Sequence, residues 1–147
     1  MHENFEIRRT AQSAEVDLQS APGVVFSWYC PFEKAEILEV GLITTADSGA
    51  VTTAPEVSVF RNELDGTRNL IIPDALLSVE ANTPARSAQL IDLDEGLYRD
   101  FPIRGQRDYP ELLLGEALEF DLTVTGVGGT ATAVLFVVFT EKNSTFT

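Results

Sequence analysis

The chain has 147 residues, with 10 Lys plus Arg against 23 Asp plus Glu, a formal net charge of −13. Two lysines and eight scattered arginines are not the clustered cations that displace phosphate counterions, so nucleic acid is ruled out as a direct partner. One histidine, His2, and one cysteine, Cys30, cannot assemble a His/Cys metal centre within one chain, and a Ser-His-Asp or Cys-His set needs its histidine on a rigid element, for which residue 2 is a poor candidate.

The length suits one domain that buries its own core without staples, and one cysteine allows no disulfide within the chain. A hydrophobic fraction of 44% is globular rather than disordered. MHENFEIRRT holds no apolar signal region, and the longest apolar stretch, Ala133 to Phe139, is too short for a membrane-spanning helix. The expectation is a soluble chain with no membrane partner.

Helical periodicity is scarce, whereas alternating and β-branched runs recur between turn signals. Phe5 to Arg9 and Ala14 to Gln19 alternate but are short and charged, so residues 1–20 read as an extended arm or an edge strand. Residues 21–141 read as a sandwich domain. In it, Gly23 to Cys30 forms a strand with Val24, Phe26, Trp28 and Cys30 on one face, ended by Pro31. AEILEVGLIT follows, with Leu38, Val40 and Leu42 opposed to Ile37, Glu39 and Ile43, and Gly41 marks a bulge or a close backbone approach. EVSVFRN is the next strand. Leu64-Asp65-Gly66-Thr67 is a hairpin turn, because Asp-Gly tolerates positive φ, and the return strand runs from Arg68 to Ile72, stopped by Pro73.

Ser87 to Leu93 is the next strand, and DEGLYRDFPIRGQRDYPE after it is a long polar loop of the length that usually carries function. In GEALEFDLTV, Leu118, Phe120, Leu122 and Val124 face one way and Glu119, Asp121 and Thr123 the other. TGVGGT then turns the chain as a flexible hairpin tip, and TATAVLFVVFTE returns with apolar residues on both faces. A strand buried on both sides belongs at the centre of a sandwich or under a partner subunit. Residues 142–147 are a loose polar tail. The expected architecture is all-β, an antiparallel β-sandwich of jelly-roll type, with an immunoglobulin-like arrangement second.

Candidate chemistry is thin. Asp92, Asp94 and Glu95 could supply oxygen ligands to Ca²⁺, but their order does not fit an EF-hand loop and they read first as a solvated turn. Glu119 and Asp121 lie about 7 Å apart on one strand face, a spacing that glycosidase carboxylates share. Neighbours on any acidic strand also meet it, so the pair reads as a solvated face. Trp28, Tyr29 and Phe32 could make an aromatic platform for sugar rings, yet Trp28 shares its face with Val24 and Phe26 and reads as core, as does Cys30. Gly126, Gly128 and Gly129 precede no helix and make no phosphate loop. Catalytic, cofactor and metal residues are therefore not assigned. Four of the eight arginines fall between Arg86 and Arg107. Tyr98, Arg99, Phe101, Arg104, Arg107 and Tyr109 have the composition of an interface loop, and Phe5 and Ile7 of the arm join them as interface candidates.

The run VVFSWYCPFEKAEILEVGLITTA, a Thr/Ala-rich loop, a hairpin, and then GEALEFDLTVTGVGGTATAVLFVVF resemble small β-sandwich proteins of tailed-bacteriophage heads. The matching G-x-x-L-x-F-x-L-x-V strand, glycine turn and apolar closing strand run from Gly115 to Phe139. The resemblance implies a capsid decoration (cement) protein without catalytic residues, a homotrimer on the virion exterior that binds the major capsid protein. The alternative expectation is a carbohydrate-binding or receptor-binding module, with a glycosidase built on Glu119 and Asp121 third.

Overall fold

The computed structural model describes residues 7–93 and 110–142. Among the described residues there are ten strands: β1 Arg8–Gln12, β2 Val16–Asp17, β3 Gly23–Tyr29, β4 Lys34–Thr44, β5 Glu56–Asn62, β6 Arg68–Ser78, β7 Ala88–Asp92, β8 Glu111–Leu113, β9 Ala117–Val124 and β10 Thr132–Lys142. A six-stranded sheet has the order β1-β10-β4-β7, with β2 also on β10 and β8 also on β4; a four-stranded sheet has the order β3-β9-β5-β6. All pairings are antiparallel.

β1 and β2 follow one course along β10, and β7 and β8 follow one course along β4. The described residues therefore run in eight courses. The first pairs with the last (β1/β2 with β10), the second with the seventh (β3 with β9), the third with the sixth (β4 with β7/β8) and the fourth with the fifth (β5 with β6). Such nested pairing is a long antiparallel ribbon rolled into two facing sheets, the jelly roll, and not the immunoglobulin-like order.

The core lies between the sheets. Ile37, Val40, Leu42, Leu135 and Val137 from the larger sheet meet Val57, Val59, Leu118, Phe120 and Leu122 from the smaller, all fully buried. Leu18, just past β2, is also fully buried. Gln89 on β7 joins the layers: its amide oxygen accepts from the Ser78 N–H (3.0 Å) and its amide nitrogen donates to the Ser78 carbonyl (2.6 Å).

Two bulges change the faces that simple alternation predicts. On β3 the register shifts between Val24 and Phe26, so Val24 sits opposite the outward Asp121 and is 49% exposed, while Phe26 sits opposite the inward Phe120. Val25 packs toward the core in place of Val24. On β4, Leu38 is the extra residue: Val138 pairs with Glu39 and Phe139 with Ile37. Ile37 thereby enters the core cluster with Val40 and Leu42, whereas alternation put it on the opposite face.

Three boundaries also differ. Pro73 does not end its strand: β6 continues to Ser78, with the register jumping between the pairs Val59–Ile72 and Val57–Leu77. β6 is an edge strand, where a residue without an N–H breaks no ladder. The segment read as loop to Glu111 ends in a strand, β8. The closing "hairpin" is no ladder, since β9 lies in one sheet and β10 in the other. Gly128 (φ 78°) and Gly129 (φ 59°) carry the chain across. Nor is the tip loose: the Val127 carbonyl accepts from the Thr52 N–H and the Ser48 carbonyl from the Thr130 N–H, at 2.8 and 2.9 Å.

Candidate functional site

The outer face of the four-stranded sheet carries the paired carboxylates. β9 turns Leu118, Phe120 and Leu122 inward, which leaves Glu119 and Asp121 outward. Phe60 of β5 lies beside Glu119, and Leu70 of β6 lies beside Phe60. Arg68, the first residue of β6, reaches across this row. Its Nε lies 3.2 Å from Glu119 Oε1, its Nη2 lies 3.1 Å from Asp121 Oδ2, and its guanidinium stands 4.0 Å from the Phe60 ring centroid. Asn62 Nδ2 donates to the other oxygen of Glu119 at 3.1 Å.

A guanidinium thus bridges the two carboxylates, and both oxygens of Glu119 are engaged. The arrangement is a cross-strand polar lattice that pins β5, β6 and β9 together. It leaves no gap between the acids in which a sugar oxygen and a water could sit, as glycoside hydrolysis requires. Arg68 carries this geometry and was not singled out from sequence. It lies fifty-one residues from Glu119, and only the order β9-β5-β6 brings them together.

The aromatic residues divide. Trp28 and Phe32 turn toward Phe139, with ring centroids 4.4 and 5.9 Å away, and belong to the core layer. Tyr29 points outward and is 64% exposed, so the three form no common platform. Cys30 is buried, with Sγ 3.4 Å from the Phe32 carbonyl and 3.8 Å from that of Leu112. Burial pushes its thiol up, the Phe32 hydrogen bond opposes this, and the Glu116 charge adds to it. A raised thiol in an apolar layer is a small hydrophobe and not a nucleophile.

Asp92, at the end of β7, faces outward opposite Glu39. Asp94 and Glu95 lie outside the described residues, as do Phe5, Tyr98, Arg99, Phe101, Arg104, Arg107 and Tyr109. Of the interface candidates, Ile7 alone is described; it precedes β1 and is 65% exposed. Among the described residues, no group of three His, Cys, Asp or Glu side chains is placed to hold a metal ion.

At the end of the sandwich formed by the β4–β5, β6–β7 and β9–β10 connections, backbone bonds knit the loops together. Buried Ser48 is the hub: its Oγ donates to the Glu80 carbonyl and accepts from the Thr83 N–H, both at 2.7 Å. Asp47, Gly49, Asn82, Thr83 and Pro84 line a shallow depression there. Asp47 Oδ1 is already engaged by the Ala85 N–H at 2.8 Å.

The outer face of the six-stranded sheet is the other notable surface. β10 turns Ala133, Leu135, Val137 and Phe139 into the core and Val134, Phe136 and Val138 outward. The Phe136 ring covers Gly41, where a Cβ would collide with that ring and with the Gln89 carbonyl. Leu90, the next residue across, is 55% exposed. No helix among the described residues is long and apolar enough to cross a membrane. Comparisons with protein-family models, characterised proteins and solved structures find no match to the chain.

Proposed function

We propose that the chain is a structural virion protein of decoration type: a homotrimer on the exterior of a phage head that binds the major capsid protein and braces the shell. The observation that carries this reading is the outer face of the six-stranded sheet. There the last strand presents Val134, Phe136 and Val138 away from a core that its other side already fills. An apolar sheet face on a chain of net charge −13 is a surface for protein contact. The carboxylate pair, the arena an enzyme would use, is tied to Arg68. The jelly roll itself supports the reading only by analogy, since the fold also serves lectins and cupins.

The test joins mass and binding. Light scattering at micromolar concentration is expected to give the mass of three chains, and the protein is expected to co-sediment with phage heads assembled without it. A monomer that stays in the supernatant overturns the proposal.

A further inference from the structure

Three buried polar side chains share one row on the outward side of the six-stranded sheet. β4 turns Ala35 and Ile37 into the core and Glu36 away from it, β8 turns Leu112 in and Glu111 away, and β10 turns Phe139 in and Thr140 away. The ladders set them side by side: Thr140 lies opposite Glu36, and Glu36 lies opposite Glu111. Thr140, Glu36 and Glu111 are 2%, 1% and 7% exposed.

Like charges directly opposite on a ladder repel, and an ionised carboxylate taken out of water needs a cation or a metal ion. Among the described residues, Arg8, across from Thr140 on β1, and Lys34, two residues before Glu36 on the same face, form no ion pair with either glutamate. Beyond the Leu38 bulge, Glu39 faces Asp92 and deepens the negative potential. Thr140 is the independent sign. Its Oγ1 is buried and has no hydrogen-bond partner. A hydroxyl beside carboxylates ordinarily donates to one of them; this one does not, and its lone pairs are left to a third party.

We infer that Glu36, Glu111 and Thr140 hold a calcium ion. All three ligands are oxygens, which selects a hard cation. Calcium takes about six to eight oxygens in flexible geometry and completes its shell with water, whereas magnesium demands a near-ideal octahedron. Glu36 has two oxygens, so one can take the ion whatever the other meets. Thr140 and Glu111 stand two strand spacings apart, about 9.6 Å between backbones. Two metal–oxygen bonds of about 2.4 Å each take up half of that, and one short and one long side chain span the rest. Burial admits an ion to the row and closes it to a side chain of another protein. The third ligand is a hydroxyl, so the site needs no third acid.

The test is calorimetric titration of calcium chloride into the EDTA-dialysed full chain, in about 0.15 M sodium chloride to screen general attraction to a −13 chain. One ion per chain is expected to bind with a Kd of about 1 mM or below. At about a hundredfold excess over that Kd, Tm is expected to rise by at least about 5 °C. Glu111→Gln keeps the shape and removes one charge. Thr140→Val keeps the shape and removes a hydroxyl that has no partner, so it is expected to fold at least as well as wild type. Each is expected to weaken calcium binding at least about tenfold, while Glu15→Gln, the same charge change at an exposed position, leaves it unchanged. A wild type that gives no calcium heat, or equal heats with magnesium, overturns the inference. So does either row variant that keeps the β spectrum by circular dichroism and binds calcium as wild type does. An equal loss in Glu15→Gln assigns the binding to overall charge and overturns the site as well.

Discussion

At Gly41 a single hydrogen decides whether two strands can sit as they do. A methyl there would occupy the space of the Phe136 ring and the Gln89 carbonyl oxygen, and backbone cannot swing aside as a side chain can. Gly41→Ala is expected to cost about 2 kcal/mol or more, read as a lower denaturation midpoint at unchanged m-value. A loss under about 0.5 kcal/mol would mean that the ring moves freely. A close backbone approach at Gly41 was legible in the sequence; its partner was not, because Phe136 is ninety-five residues away. Cys30 was legible as an apolar-face residue. Its thiol is expected to stay unmodified by an aromatic disulfide reagent in native protein and to react fully in denaturant. Since burial raises its folded pKa, both states hold the proton below the ordinary thiol range of about 8.5, and the unfolded chain releases it first above that. The contribution of Cys30 to stability is therefore full at neutral pH and lost as alkali is added. Cys30→Ala should flatten that alkaline decline.

Among the elements, pattern identified most strands and placed some side chains on the wrong face. EVSVFRN coincides with β5, and the Asp65-Gly66 turn forms as expected: Gly66 has φ 91°, and the Thr67 N–H donates to Asp65 Oδ1 at 2.9 Å, which lowers the Asp65 pKa. The faces of β3 and β4 failed where bulges at Val25 and Leu38 reset the two-residue period, and no local residue type announces either bulge. The closing arch failed for another reason. An alternating strand, a glycine turn and an apolar strand satisfy a hairpin within one sheet and an arch between two equally well. Between the layers, Gln89 needs both ends of its amide to meet Ser78. Gln89→Glu keeps the acceptor and loses the donor, leaving two oxygens facing each other. It is expected to cost about 2 kcal/mol at neutral pH, with part of the loss recovered in acid, where a protonated carboxyl donates again. Equal losses at both pH values would show that the amide donor contributes nothing.

For the whole molecule, the net charge of −13 sets a general expectation. Among the described ion pairs, Arg9–Glu141, Arg61–Glu63 and the Arg68 bridges absorb few of the carboxylates. Compact folding therefore works against self-repulsion that salt screens. Raising sodium chloride from about 0.05 M to about 0.5 M shortens the screening length from about 14 Å to about 4 Å and is expected to raise Tm. A Tm that falls with salt would mean that the few ion pairs outweigh the repulsion.

Strand-length alternation, turn residues and the scarcity of helical period were enough to establish an all-β sandwich, and the short list of His and Cys bounded the chemistry, because these properties are local or compositional. Strand order, the nested eight-course pairing, the capture of Glu119 and Asp121 by Arg68 and the apolar face around Phe136 emerged with the fold. Each depends on residues far apart in the chain becoming neighbours, and a two-residue period records which way a side chain points without recording which strand lies beside it.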